Sequence, residues 1–221
     1  GRFHFNTIII LMRILNLYAC LGGNRYLWGN DHHIVAVEHD EHLADLYQER
    51  FPNDVVLVED AHEYLLHNFK NFDFIWSSPP CPTHSRMRHS QKTRDTFEFK
   101  YPEMELYQEI IFLDNHFEGK YVVENVIPYY EPLIPAQKRH RHLYWCNFRL
   151  PSVLTERTIE VGHGIDEVNK LCDFHKIDLS NYKGTQRKDK IARNLVDYEA
   201  GKTILDTAMG CLKDKNTTQT K

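Results

Sequence analysis

Apolar positions along the chain follow two rhythms. Short runs rich in β-branched and aromatic residues recur at 13–18, 34–38, 55–58, 72–76 and 121–126, and runs of that length and composition predict strands. Between the second and third runs Leu43, Leu46, Tyr47 and Phe51 return at helical spacing, and before the fifth Leu106, Ile110, Ile111, Leu113 and Phe117 do the same. That spacing lays an apolar stripe along one side of a helix. Strands alternating with amphipathic helices predict an α/β fold, a parallel sheet joined by crossover helices. A further aromatic run at 143–148 predicts a later strand, and Ala200, Ile204, Leu205 and Ala208 mark a closing helix.

The stretch from Cys81 to Met104 breaks the rhythm: it is poor in aliphatic residues, rich in Arg, His, Ser, Thr and Lys, and starts directly after Pro79-Pro80. Loops of this length in a folded domain are functional or disordered, and this one reads as a mobile functional loop. The 221 residues suit one domain with at most a small appendage. Charge sharpens the picture. With 27 Lys and Arg against 31 Asp and Glu, the formal charge is -4, so a uniformly basic nucleic-acid coat is excluded and any polyanion site must gather its cations on one face. Five cysteines without a CxxC pair argue against a disulfide framework and a four-thiolate zinc site, and fit a reducing, cytoplasmic setting. No apolar run approaches a membrane span, and the first residues lack a signal peptide's layout. Residues 1–11 read as upstream of Met12, and the polar tail 213–221 reads as disordered.

In a doubly wound sheet, ligands sit beyond the carboxyl ends of the strands, so the residues that follow each strand carry the candidate chemistry. The first strand runs into Ala19-Cys20-Leu21-Gly22-Gly23-Asn24, a small-residue turn that lets backbone approach a ligand. The second ends in Glu38, where a carboxylate can accept bonds from ribose hydroxyls, and Asp60 follows the third. The fourth ends against two prolines, which lack ladder donors, so Cys81 is held at the sheet's carboxyl edge. The fifth ends in Glu124-Asn125-Val126 at the same edge. A thiolate beside a carboxyl group that can donate or share a proton is a catalytic pair; the bland alternative is a small buried Cys and a surface acid.

Taken in order, these segments resemble the DNA cytosine-C5 methyltransferases. The stretch from Asn16 to Gly23 is similar to the family's cofactor loop, Pro79-Pro80-Cys81 to its nucleophile motif and Glu124-Asn125-Val126 to its cytosine-binding motif. Gln137-Lys138-Arg139-His140-Arg141 resembles Gln-x-Arg-x-Arg, and Arg193-Asn194-Leu195-Val196 the final motif. The resemblance implies a Rossmann-like sheet that binds S-adenosylmethionine through Tyr18, Ala19, Cys20, Leu21, Gly22, Gly23, Glu38, His39, Asp60, Ala61, Pro79, Asn194 and Val196. It also implies that Cys81, as thiolate, adds to C6 of a cytosine flipped out of the stack, and that Glu124 holds N3 and the exocyclic amine. Arg139 and Arg141 would position the base or a neighbouring phosphate, and C5 would take the methyl group. Two positions depart from the pattern: Cys20 stands where the family usually has Gly, and Pro82 where Gln usually follows the nucleophile.

The stretch between Arg141 and Asn194 is much shorter than the family's usual recognition domain. The expected layout is a catalytic domain over 12–148, a very small target-recognition insertion over 149–192, and a helix over 193–212 that returns to the catalytic domain. Ser85, Arg86 and Arg88 in the loop, and Lys183, Arg187 and Lys188 in the insertion, are expected to contact nucleic acid, with Gly162-His163-Gly164 nearby. Phosphate contacts of this kind hold a polyanion while reading little of its sequence. The expected partner is duplex DNA, met by a monomer of phage or restriction-modification type, with short or relaxed specificity and no metal. RNA as substrate, or a methyltransferase-like subunit that takes its specificity from a partner, are the alternatives. A zinc deaminase, suggested by His39-Asp40-Glu41 and Pro80-Cys81, lacks the second thiol of that signature.

Overall fold

The computed structural model describes residues 10–156 and 165–218; Gly162-His163-Gly164 and the ends 1–9 and 219–221 lie outside the described residues. The strands are β1 (Arg13–Leu17), β2 (His33–Val37), β3 (Val55–Leu57), β4 (Phe74–Ser77), β5 (Lys120–Val126), β6 (Gln137–Arg139) and β7 (His142–Cys146). They form a single sheet in the order β3-β2-β1-β4-β5-β7-β6. The helices are α1 (Glu41–Arg50), α2 (Ala61–Asn68), α3 (Arg86–Ser90), α4 (Glu105–His116), α5 (Ile165–His175), α6 (Lys188–Asn194) and α7 (Tyr198–Thr218).

The first five strands pair in parallel, whereas β7 runs antiparallel to β5 and β6 antiparallel to β7. No helix lies between β5 and β7, and a parallel return needs a crossover. The apolar pattern does not reveal β6, because Gln137-Lys138-Arg139 forms the sheet edge, where charged side chains are the rule. Side chains alternate across the sheet. On one face Leu15, Leu17, Ile75, Tyr121 and Val123 meet Leu65 of α2 and Leu106, Ile110 and Leu113 of α4. On the other Ile14, Phe74, Trp76, Val122 and Tyr144 meet Ile204, Leu205 and Ala208 of α7. Both faces are thus covered, which is why the central strands read as continuous apolar runs.

Three features differ from the sequence expectation. The tail expected to be disordered from Lys213 continues α7 to Thr218, in a stretch without Pro or Gly to stop a helix. The loop after Cys81 contains α3, whose His89 ring stacks on Tyr129 with centroids 4.5 Å apart. The insertion does not stand apart: Leu171, Leu179, Tyr182, Ile191 and Leu195 pack with Leu21 of the first turn and Leu43 of α1. Much of its apolar surface therefore buttresses that turn. Among the described residues no helix is long and apolar enough to cross a membrane.

Candidate active site

The register between β4 and β5 sets Ser77 beside Val123, so Ser78, just past the end of β4, comes beside Glu124, which stays in β5 and pairs with Tyr144 of β7. Ser78 Oγ donates to Glu124 Oε2 at 2.8 Å and accepts from Trp76 Nε1 at 2.8 Å. The two prolines then carry the chain to Cys81, and Asn125 Nδ2 ties this segment to β5 by donating to the Pro79 carbonyl at 3.0 Å. Glu124 is buried, with His142 of β7 at 3.7 Å from its other oxygen. Burial pushes the Cys81 thiol above its ordinary value, the Glu124 charge pushes the same way, and Lys190 of α6 opposes it. Sequence order alone leaves the distance between the Pro79-Pro80-Cys81 and Glu124-Asn125-Val126 segments open; the shared edge of two adjacent parallel strands brings them together.

The first turn is wound tightly. Tyr18, Cys20 and Gly22 all adopt positive φ, at 56°, 47° and 68°. A left-handed Cys is strained where Gly is free, which gives the departure at Cys20 a structural cost. Glu38 holds the turn: its carboxylate accepts from the Cys20 and Asp40 amides, both at 2.9 Å, and His39 lies 3.1 Å away. Burial and Glu38 push the Cys20 thiol up to about 12, so it does not compete as a nucleophile at neutral pH. A Cβ on Gly23 would lie 2.6 Å from the Val196 carbonyl oxygen, so the final motif closes directly on the turn while Asn194 stays exposed at the end of α6. Asp60 caps α2 by accepting from the Glu63 amide at 2.9 Å, ahead of buried Ala61. The cradle suits a nucleoside-bearing cofactor: a tightly wound small-residue turn at the β1 end, a buried carboxylate with spare lone pairs at the β2 end and a second acid at the β3 end.

Behind the turn lies a group the sequence analysis passed over. Glu109 of α4 is buried, and its carboxylate accepts from Tyr18 Oη at 2.6 Å and from Ser77 Oγ, with His62 Nδ1 at 3.0 Å. Glu109 falls between Leu106, Ile110 and Leu113 on the apolar stripe of α4, and an acid at a core position was the available signal. The bond to Glu109 pushes the His62 imidazole up to about 9, partly offset by desolvation.

The expected cations divide into committed and exposed groups. Arg139 spends its guanidinium on three backbone carbonyls, those of Lys138, Leu150 and Pro151, at 2.7–3.1 Å. That geometry shapes the 150–151 turn. Arg141 is largely exposed and is held through Nε by Glu156 at 3.1 Å. Arg187 makes a bidentate pair with Asp189, whereas Lys183 and Lys188 are exposed. Ser85 bridges to Pro128, Arg86 donates to the Pro128 carbonyl, and Arg88 donates to the Glu98 carbonyl. The first two anchor the loop to the segment after β5, and the third ties the loop to itself. Among the described residues no group of three or more His, Cys, Asp or Glu is arranged to hold a metal.

The sheet is covered by helices on both faces, with Glu38 and Asp60 beyond β2 and β3 and Cys81 and Glu124 at the same edge of β4 and β5. Residues 12–128 match the model of the C-5 cytosine-specific DNA methylase family. The chain belongs to that family and is a methyltransferase that uses S-adenosylmethionine. Solved structures are similar to parts of it. DNMT2 from Spodoptera frugiperda shares 26% identity over 52% of this chain and 35% of its own, with a TM-score of 0.36. A TehB-like SAM-dependent methyltransferase from Corynebacterium glutamicum shares 17% over 52% and 55%, with a TM-score of 0.34. A conserved hypothetical protein from Streptococcus pyogenes shares 13% over 62% and 86%, with a TM-score of 0.43. No curated protein sequence matches the chain.

Proposed function

We propose that the protein methylates C5 of cytosine in DNA through a covalent adduct on Cys81. The observation that supports this reading is the buried Glu124 carboxylate, anchored by Ser78 on the strand next to the one that delivers Cys81. Glu124 takes up the Cys81 thiol proton and donates it to N3 of a flipped cytosine while accepting from the exocyclic amine, so the ring stays neutral as the sulfur adds. The Cys81 sulfur bonds to C6, C5 becomes nucleophilic and takes the methyl group as the donor's sulfur–methyl bond breaks, the C5 proton passes to water, and the C6–sulfur bond breaks as the N3 proton returns to the thiol, restoring the C5–C6 double bond. S-adenosylmethionine, held by the turn 18–23, Glu38, Asp60 and Val196, supplies an electrophilic methyl group. Burial and the Glu124 charge both raise the Cys81 thiol, so addition of its sulfur depends on Glu124 taking the proton. The two residues therefore act as one unit, and their single losses are not additive.

Arg141 and the lysines at 183 and 188 hold phosphate, and recognition is confined to the short segment 148–190, so specificity is short or relaxed. DNA carrying 5-fluorocytosine, incubated with cofactor and the full chain, is expected to form a covalent complex that Cys81→Ala abolishes. Absence of an adduct, or its survival in the variant, overturns the mechanism. A long strict consensus in bisulfite sequencing of methylated random DNA overturns the relaxed specificity.

A further inference from the structure

Three aromatic side chains are exposed among the described residues: Phe99 at 80%, Tyr101 at 97% and Tyr129 at 38%. All three belong to the segments that follow Cys81 and Glu124. Scattered exposure would need no explanation, whereas Phe99 and Tyr101 stand exposed two residues apart in one stretch, and neighbouring exposed aromatics mark an interaction site. Phe97, Phe99 and Tyr101 alternate with Glu98 and Lys100 in a stretch without helix or strand pairing. The Phe97 and Phe99 rings touch edge to face at 5.0 Å, and Arg88 lies over Phe97.

The chain pins this stretch to the nucleophile. The Glu103 amide donates to Thr83 Oγ1 at 2.9 Å, Thr83 is two residues after Cys81, and Tyr101 is two residues before Glu103. At about 3.5 Å per residue, the Tyr101 backbone lies within about 20 Å of that of Cys81, a span of about six stacked bases. On the β5 side, the Tyr129 amide bonds to the His84 carbonyl at 3.0 Å, three residues beyond Cys81. Exposed Lys92 and Arg94 lie in the same loop, so the loop offers π-faces next to cations, the combination that tracks a single strand by stacking its bases.

We propose that Phe99 and Tyr101 form a stacking platform for unpaired bases flanking the target cytosine, so that the protein prefers DNA whose target region is single-stranded. The inference rests on the proposed function and names the form of its substrate. Fluorescence anisotropy with a labelled single-stranded oligodeoxynucleotide, the matching duplex and a duplex with an unpaired bubble at one cytosine tests it on the full chain. Base stacking on an aromatic ring contributes about 1–3 kcal/mol, so Phe99→Ala/Tyr101→Ala is expected to weaken single-strand and bubble binding at least tenfold. Binding of the paired duplex should change less than threefold. The slope of affinity against salt should stay unchanged, because no phosphate contact is removed. Phe99→Tyr/Tyr101→Phe, which keeps both rings, should bind as wild type does. Equal affinities of the Ala variant and wild type for single strands, or equal losses on all three DNAs, overturn the platform. The 5-fluorocytosine adduct at saturating DNA separates the two claims: an adduct without single-strand preference refutes the platform alone, and no adduct in wild type refutes the catalytic reading alone.

Discussion

His62→Gln isolates the network behind the cofactor turn. In the folded protein His62 faces Glu109 and Gln108 of α4, with Glu105 on the same helix adding to the attraction. The imidazole is raised from 6.5 to about 9, which at about 1.4 kcal/mol per tenfold corresponds to about 3 kcal/mol of stability. The side chain is 24% exposed, and solvent screening brings the expected figure nearer to about 2 kcal/mol. A folded-state value above the unfolded one means that protonation favours the fold. The stabilisation is fully present below pH 6.5, shrinks between 6.5 and about 9, and is gone above that. Urea unfolding of wild type and variant at constant ionic strength measures it. The variant should be less stable by about 2 kcal/mol at pH 6 and nearly equal to wild type at pH 9.5. A difference that does not change with pH would mean that His62 contributes packing and not charge, and would refute the reasoning. Glu109→Gln should remove the same pH dependence. It should also weaken cofactor binding, since Glu109 also holds Tyr18 in its left-handed conformation.

Three further predictions follow the same logic. Cys20→Gly releases a left-handed non-glycine residue and should raise stability by about 1 kcal/mol with cofactor affinity retained; a lower melting temperature would contradict it. Arg25 and Asp54 form a fully buried bidentate pair that also receives Tyr47 Oη. Arg25→Met leaves that carboxylate uncompensated and should cost about 3–5 kcal/mol, with Arg25→Met/Asp54→Leu recovering much of the loss in chemical denaturation. Removing the Glu124 charge should let Cys81 ionise more readily, so Glu124→Gln should be alkylated by iodoacetamide faster than wild type at pH 8; equal or slower modification would show that Glu124 does not raise the thiol.

The chemistry legible without a structure is the part carried by contiguous segments. A strand that ends in Pro79-Pro80-Cys81 or in Glu124-Asn125 announces its own edge, because apolar runs and proline stops are local signals. The closing helix at Ala200 to Ala208 is legible for the same reason, and its packing on the sheet follows from its stripe. Roles that depend on partners far along the chain are not legible. Arg139 resembles a base-positioning residue, yet the 150–151 turn curls back to take its donors. Arg187 and Arg193 look like free cations, yet Asp189 and the buried Glu167 pair with them.

By itself, then, the sequence determined the alternation of the central strands with helices and the sheet edge to which it assigns Cys81 and Glu124. Only the tertiary structure decided which polar groups meet. Glu109 is 91 residues from Tyr18 and 47 from His62, and the insertion's Tyr182 and Gln186 reach back 142 and 146 residues to Asp40. Such pairings carry no periodic signal, since one side chain's charge is matched by whichever partner the folded backbone brings within about 3 Å. The same geometry set part of the insertion against the turn after β1 and left Phe99 and Tyr101 exposed in the loop that follows Cys81.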